Sequence, residues 1–218
     1  MAGEEVQITL FETLRRSISA DRLGTYLKAA GFDQQRALKL YVWNAYMGEA
    51  FHLPVQGVEV ALRNCVNAGL CIKFGENWWE APSFLKIADH ERKGDIETAI
   101  KRIRNRKLPL ITGQLVATLS FGFWVGVLQP RYNPDVWSSL LRGSFPDLPV
   151  DKSRYDLAAS AKRIADLRNR IWHHEPIFRM DLSDEYRAAM ELLGWLCPIK
   201  TEWLRPQCRV QQVLRQKP

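Results

Sequence analysis

The chain has 218 residues, of which 46% are hydrophobic and 25% are charged. This composition excludes a disordered, collagen-like or low-complexity chain, and the length predicts a single domain over residues 1–218. Lysine and arginine total 31 against 24 aspartates and glutamates, which gives a net charge of +7. A basic chain favours a polyanionic partner, and RNA, DNA and an anionic membrane all remain open on this ground.

Helical periodicity dominates the first half of the chain. Residues 26–50 are predicted to be helical with a break at 31–33, and residues 55–70 form the clearest early helix. A charged helix over 90–107 precedes an uncharged helix over 115–128. Residues 129–151 contain four prolines and are predicted to be a loop-rich connector around a short helix at 136–141.

The second half continues the helical pattern. A long helix over 154–174 ends before Pro176, because the residue preceding a proline disfavours helical backbone. Ser183 is predicted to cap a last helix that runs to about Trp195. The basic tail over 205–218 contains no acidic residue and is expected to be disordered or to bind phosphates. Strand patterns are scarce, so the sequence predicts an all-α fold.

Residues 108–130 form an uncharged segment that bears on membrane association. Its 23 residues are enough to span a bilayer, but glycine, proline and polar residues interrupt it. A central helix of a helical bundle has the same character, and we predict no membrane partner.

The cysteines and the N-terminus bear on the compartment. The four cysteines form no Cys-x-x-Cys pair and no zinc-binding spacing, so we expect reduced thiols, no metal and no cofactor. They are Cys65, Cys71, Cys197 and Cys208. Residues 1–14 lack the apolar stretch of a secretory signal, and a cytoplasmic location is predicted.

The helix over 154–174 places a charge among apolar residues. Its apolar stripe consists of Leu157, Ala161, Ile164 and Ile171. Arg168 completes that stripe, where a guanidinium is unfavourable unless it is paired or faces a ligand. The pattern therefore indicates either a paired structural arginine or a binding site.

Polar residues surround Arg168 on this helix. Asn169 and His173 are four residues apart and share a face, whereas Arg168 and His173 are rotated by about 140° on an ideal helix. His174 follows directly. A site that uses both Arg168 and His173 needs a distorted helix end, a cleft open to both, or two subunits. The alternative is a pair of surface histidines at the end of a helix.

A longer string extends this pattern. Residues 167–178 read Leu-Arg-Asn-Arg-Ile-Trp-His-His-Glu-Pro-Ile-Phe and resemble the Arg-Asn-x-x-x-His signature of HEPN domains, in particular the abortive-infection (Abi-like) branch. Residues 58–64 are similar to the early Glu-x-Ala-Leu-Arg helix of that branch, and residues 119–124 to its Phe-Gly segment. The resemblance covers about residues 40–200 and implies a HEPN-type helical bundle with additional helices.

The resemblance also implies a function. HEPN proteins of this kind are often metal-independent endoribonucleases in phage defence or toxins with an RNA or protein antitoxin. Arg168 is then expected to bind the phosphate, Asn169 to orient His173 or the ribose, and His173 to transfer a proton. Because each chain supplies one such histidine, the resemblance implies a homodimer with a composite active site. Inactive family members make a non-catalytic RNA- or protein-binding module the alternative.

Other residues are auxiliary candidates for the site. Glu59 and Arg63 are four residues apart and are expected to pair on one helix, or Arg63 joins the active cleft. His174 is a further candidate, although adjacent helical residues point in different directions. Glu175 occupies the position where some HEPN toxins carry a modified tyrosine, so that form of regulation is not expected.

The densest basic run is a candidate RNA-binding surface. Its positive charge can hold RNA phosphates, or it is a solvated helix face that nearby acids neutralise. The run consists of Lys101, Arg102, Arg104, Arg106 and Lys107.

Overall fold

The computed structural model describes residues 10–218, which form twelve α-helices and no strand. The all-α class predicted from the sequence is confirmed. The helices are α1 Leu10–Ile18, α2 Ala20–Ala29, α3 Gln34–Phe74, α4 Pro82–Ile87, α5 His90–Asn105, α6 Thr112–Thr118, α7 Phe121–Val127, α8 Ser138–Ser144, α9 Arg154–Trp172, α10 Leu182–Leu196, α11 Pro198–Leu204 and α12 Val210–Leu214. Residues 1–9 of the segment examined for a targeting signal lie outside the described residues.

Helix α3 is the central element of the fold. It has 41 residues, and α2, α7, α8, α9, α10, α11 and α12 all pack against it. The sequence predicted separate helices on either side of residues 50–55, but α3 continues through Pro54. A proline inside a helix costs about 3 kcal/mol. Burial of Phe51, Val55 and Val58 around Pro54 offsets that local cost.

The predicted break at residues 31–33 is confirmed. Helix α2 ends at Ala29, and Gly31 and Phe32 both adopt positive φ values, 65° and 66°. Asp33 then begins α3, because its carboxylate accepts a hydrogen bond from the Arg36 amide at 3.0 Å.

Helix α9 carries the candidate signature residues and begins at a capping box. The Ser153 hydroxyl accepts a hydrogen bond from the Asp156 amide, and the Asp156 carboxylate accepts one from the Ser153 amide at 2.8 Å. Of the predicted stripe, Leu157, Ala161 and Ile164 are fully buried and Ile171 is partly buried. Helix α9 thus packs its apolar face against α3, α7 and α10.

Two arginines fix the position of α9, one through the connector that precedes it and one through its contact with α10. Arg142 of α8 donates to four backbone carbonyls between residues 148 and 152, at 2.8–3.1 Å, and thereby fixes the connector before α9. Arg163 of α9 donates to Glu185 at 3.0 Å and to Asp184 at 2.6 Å in the first turn of α10. These bonds hold α9 and α10 in register.

The uncharged segment forms two short helices. The prediction of one helix over 115–128 is wrong, because the chain breaks between α6 and α7. Ser120 caps α7 by accepting a hydrogen bond from the Phe123 amide at 3.2 Å. Phe123 and Trp124 are completely buried, and both rings pack against Trp78. Over residues 10–218, no helix combines the length and the hydropathy that a membrane crossing requires.

Helix α10 begins at a different N-cap from the one that the sequence predicted. Asp181, rather than Ser183, caps α10, because its carboxylate accepts a hydrogen bond from the Asp184 amide at 3.0 Å. Ser183 lies within the first turn, so the predicted cap was displaced by two residues.

The basic tail is folded rather than disordered. Helix α12 buries Val210 and Val213, and the Trp43 indole of α3 donates to the Val213 carbonyl at 2.8 Å. Lys217 donates to the Phe178 carbonyl at 3.0 Å. The expectation of disorder was wrong because apolar residues one turn apart dock this basic segment onto the core.

The four cysteines are free thiols of intermediate exposure. Burial is the largest cause that raises the pKa of the Cys65 thiol to about 11, and the neighbouring Cys197 adds to it. A neutral thiol is a weak nucleophile, so Cys65 is expected to be unreactive.

The close contact of α5 with α7 leads to a stability prediction. The Arg92 side chain is buried, pairs with Glu91 and Asp95, and lies so close to Gly126 that a Cβ there would overlap its guanidinium. Gly126→Ala is expected to displace this charge and to lower the free energy of unfolding by about 1–3 kcal/mol, measured by denaturant titration.

Gly94→Ala is the matched control for this substitution. Gly94 lies in α5, and a Cβ there would meet nothing within 4 Å. Its replacement is expected to leave the free energy of unfolding unchanged or to raise it by up to about 1 kcal/mol. Equal losses from both substitutions would contradict the proposed role of Gly126.

Candidate functional site

Helices α3 and α9 run antiparallel and define the candidate site. Gly48 of α3 faces Ile171 near the end of α9, and Glu59 faces Arg168 one turn earlier in α9. A Cβ on Gly48 would lie 3.3 Å from the Ile171 Cγ2 atom. A glycine at position 48 therefore allows the end of α9 to lie directly against α3.

Arg168 lies in the groove between these two helices. Its Nε atom is 3.8 Å from the Glu59 Oε2 atom, and the side chain is 31% exposed. Its guanidinium carbon lies 4.9 Å from the centre of the Trp172 ring, which is a cation–π contact. The Nε atom is buried and has no hydrogen-bond partner. The sequence left two interpretations of Arg168 open, a paired structural arginine and a binding site. The structure has features of both, because Arg168 lies near a carboxylate and its Nε atom forms no hydrogen bond.

The other signature residues separate at the end of α9. Asn169 is exposed and its side-chain oxygen accepts a hydrogen bond from Arg168 at 3.4 Å. His173 is exposed and forms the C-cap of α9, where its amide donates to the Asn169 carbonyl at 2.9 Å. Over residues 10–218, the His173 side chain has no hydrogen bond, ion pair or ring contact. One chain therefore does not bring His173 onto Arg168.

His174 differs from His173 in its backbone conformation and contacts. Its backbone adopts a left-handed conformation with φ 55°, and its carbonyl accepts a hydrogen bond from the Arg22 guanidinium at 2.9 Å. This turn directs the chain back toward α2 and α3. We call residues 173–178 the post-α9 loop.

Asn44 of α3 anchors the post-α9 loop through side-chain hydrogen bonds. Its buried side-chain oxygen accepts hydrogen bonds from the Ile177 and Phe178 amides at 2.8 and 3.2 Å. Its side-chain nitrogen donates to the Glu175 carbonyl at 3.3 Å. One buried side chain thus satisfies three backbone groups of the loop and sets the position at which α9 ends.

A cleft of about 780 Å³ opens between α2, α3 and the post-α9 loop. We call it the α3–α9 cleft. It is lined by Arg22, Tyr26, Tyr41, Asn44, Ala45, Gly48, Glu49, His52, Ile171, Trp172, His174, Glu175 and Ile177. His174 lines the cleft, whereas His173 and Arg168 do not.

Aromatic rings form much of the cleft wall. His52 stacks on Trp172 with ring centres 5.5 Å apart, and Tyr26 meets Tyr41 edge-on at 5.2 Å. Burial is the largest cause that raises the pKa of Tyr26 to about 12, so its hydroxyl stays protonated at neutral pH. Trp172 contacts both His52 and Arg168 and therefore joins the cleft to the groove.

The predicted pairing of Glu59 with Arg63 is wrong. Glu59 has its ion-pair contact with Arg168 of α9, and Arg63 has no carboxylate within 4.0 Å among the described residues. The Nε atom of Arg63 is buried without a hydrogen-bond partner.

The basic run at the end of α5 is exposed. None of its five side chains forms an ion pair with any described residue. Of the nearby acids, Glu91 and Asp95 pair with Arg92, and Glu97 forms no ion pair within 4.0 Å among residues 10–218. Helix α5 packs on α6 and α7. No hydrogen bond or ion pair joins the run to the α3–α9 cleft within residues 10–218. The run is thus a separate positive surface, and its role in RNA binding stays a prediction.

Three residues of the site were not predicted from the sequence: His52, Trp172 and Asn44. His52 lies seven residues before the predicted candidate Glu59 on α3 and shares its face, a relation hidden by the predicted break near Pro54. Trp172 lies inside the signature string but received no role. Asn44 carries no sequence signal, since its partners lie far along the chain.

Metal-binding geometry is absent from the described part of the chain. Over residues 10–218, no group of three or more histidine, cysteine, aspartate or glutamate side chains could hold a metal ion.

Comparison of the chain with protein-family models, with curated proteins and with solved structures gives no match.

The anchoring role of Asn44 leads to a prediction. Asn44→Ala removes the acceptor for two buried amides of the post-α9 loop, and each unsatisfied amide costs about 1–3 kcal/mol. We expect the free energy of unfolding to fall by about 2 kcal/mol or more in denaturant titration. Asn64→Ala, at an exposed position of the same helix, should change it by less than about 0.5 kcal/mol. Similar values for both variants would argue against the anchor.

Proposed function

We propose that this protein is a metal-independent endoribonuclease of the HEPN type that cleaves RNA in the cytoplasm, in phage defence or as a toxin with an antitoxin partner. The observation that carries this proposal is the state of Arg168. Its side chain is 31% exposed, its guanidinium lies over the Trp172 ring, and its Nε atom is 3.8 Å from the Glu59 carboxylate. Such a guanidinium is suited to bind a phosphate through paired donors.

The chemistry follows from RNA itself. The 2′-hydroxyl oxygen attacks the adjacent phosphorus, and the bond from phosphorus to the 5′-oxygen breaks. A base accepts the hydroxyl proton, an acid protonates the leaving 5′-oxygen, and a cation stabilises the charge on the phosphorane. His173 fits either proton-transfer role and Arg168 fits the cation role. The products are a 2′,3′-cyclic phosphate and a 5′-hydroxyl.

A composite dimer site resolves the separation of these residues. His173 is exposed and lies outside the α3–α9 cleft. One chain also supplies a single signature histidine for two proton transfers. A two-fold dimer that joins the ends of two α9 helices provides two copies of His173 and two of Arg168.

RNA cleavage with EDTA present is the primary test. The purified full chain is expected to cut RNA under these conditions and to leave 2′,3′-cyclic phosphate ends. His173→Ala and Arg168→Ala should each lower the rate at least about 100-fold, since they remove proton transfer and charge stabilisation respectively. Gel analysis with end-group mapping measures both results.

Two variants serve as matched controls for this assay. His90→Ala changes an exposed histidine at the start of α5, and Arg170→Ala changes an exposed arginine two residues after Arg168. Both should cut at close to the wild-type rate. Wild-type rates for the His173 and Arg168 variants, or complete loss of activity in EDTA, would exclude the proposed mechanism.

The composite site predicts behaviour in mixtures. Light scattering should give twice the mass of one chain. An excess of His173→Ala protein, after subunit exchange, should suppress the activity of a fixed amount of wild-type protein, whereas the same excess of albumin should not. Unchanged activity in the mixture would indicate that each chain holds a complete site.

A non-catalytic RNA-binding module is the second candidate, and the unpaired basic run on α5 favours it. This function predicts RNA binding without cleavage. Joint replacement of Arg102, Arg104 and Arg106 by glutamate should weaken RNA binding and reduce its salt dependence, because phosphate contacts release counterions. Filter binding at several salt concentrations measures the effect.

The control for this triple variant keeps the same change in net charge. Lys39, Lys73 and Lys86 are exposed lysines on α3 and α4, outside the basic run, and are replaced together by glutamate. If both triple variants lose affinity equally, net charge rather than the α5 surface governs RNA binding.

A further inference from the structure

We propose that the α3–α9 cleft binds one unpaired nucleobase of the RNA, next to the phosphate held by Arg168. This inference rests on the proposed function, because it takes RNA to be the substrate. It assigns a ligand class to a cleft that the catalytic roles of Arg168 and His173 leave unused.

The shape and lining of the cleft fit a flat aromatic ligand. It has a volume of about 780 Å³, and Tyr41 and the stacked pair of His52 and Trp172 are among the residues that line it. Trp172 remains 41% exposed although it is a large aromatic residue. Unpaired bases in protein complexes commonly stack on such rings, and stacking tolerates any base because every base has a π-face.

The charges around the cleft favour a base over a phosphate. Arg22 is the one arginine or lysine among the lining residues, whereas Glu49 and Glu175 contribute two carboxylates. Arg22 already donates to the His174 carbonyl, and the Glu49 contact with Arg209 is long, at 3.9 Å, and largely exposed. Two carboxylates repel a phosphate but accept hydrogen bonds from the amino and imino groups of a base.

The position of the cleft fits a base attached to the bound phosphate. Trp172 contacts His52 in the cleft and Arg168 in the groove, so one indole ring separates the two binding sites. A nucleotide with its phosphate on Arg168 can therefore place its base in the cleft. A base within a duplex is stacked and paired and cannot enter, so the cleft selects single-stranded RNA.

Ala45→Trp provides a way to block the cleft. Ala45 is an exposed lining residue of α3, and an indole at this position is expected to fill the cleft without disturbing the core. Ala68→Trp is the matched control, because Ala68 is also exposed on α3 and does not line the cleft. Neither residue belongs to the proposed catalytic machinery.

The test measures RNA binding in a full chain that carries His173→Ala to prevent cleavage. A fluorescein-labelled single-stranded RNA is compared with versions in which one nucleotide at a time is abasic, so that the base is lost and every phosphate is kept. We expect one abasic position to weaken binding about tenfold in fluorescence anisotropy. Adding Ala45→Trp should weaken binding of the intact RNA about tenfold and abolish the effect of that abasic position. Adding Ala68→Trp should leave both measurements unchanged.

The inference is overturned if no abasic position matters, if the RNA does not bind, or if Ala45→Trp leaves binding and abasic sensitivity intact. Failure of the proposed function gives a different result. Binding with the expected abasic effect, together with a wild-type chain that cuts no RNA, would support the base-binding cleft and reject the ribonuclease. Cleavage by the wild-type chain without any abasic effect would reject the cleft alone.

Discussion

The antiparallel packing of α9 against α3 is the constraint on which the site depends. Gly48 lets Ile171 approach the helix backbone, and Asn44 satisfies three backbone groups of the post-α9 loop. Both interactions act at the same end of α9. A larger residue at position 48 or an apolar one at position 44 would move the loop and also the groove beside it. The position of the end of α9 therefore depends on two uncharged residues.

Within this packing, Trp172 sets the environment of the charged residues. Its ring lies under the Arg168 guanidinium and against His52, and the Arg168 side chain is 31% exposed. A charge is more strongly attracted to a ligand where water is partly excluded, and it is also more costly when it lacks one. Glu59 lies 3.8 Å from the Arg168 Nε atom and reduces that cost. In the proposed function, the RNA phosphate binds the exposed part of this arginine.

Local signals in the sequence predicted much of the fold. The break at residues 31–33, helix α5 and helix α9 follow from helical periodicity together with residues that cap or end a helix. Predictions failed where tertiary packing outweighed a local preference. Helix α3 passes through Pro54 because its flanking residues are buried, and the basic tail folds because Val210 and Val213 reach the core. The break before Ser120 was missed because the uncharged residues on both sides hide the boundary.

For the site, the sequence by itself determined that a charged residue, Arg168, lies on the apolar stripe of α9, with Asn169 beside it and His173 at the helix end. Those relations depend only on the helical repeat. The tertiary structure decided that Glu59 pairs with Arg168 rather than with Arg63, and that His52 stacks on Trp172. The physical reason is that these contacts join two helices far apart in the chain. Their register is set by the packing of many buried side chains, which no local pattern encodes.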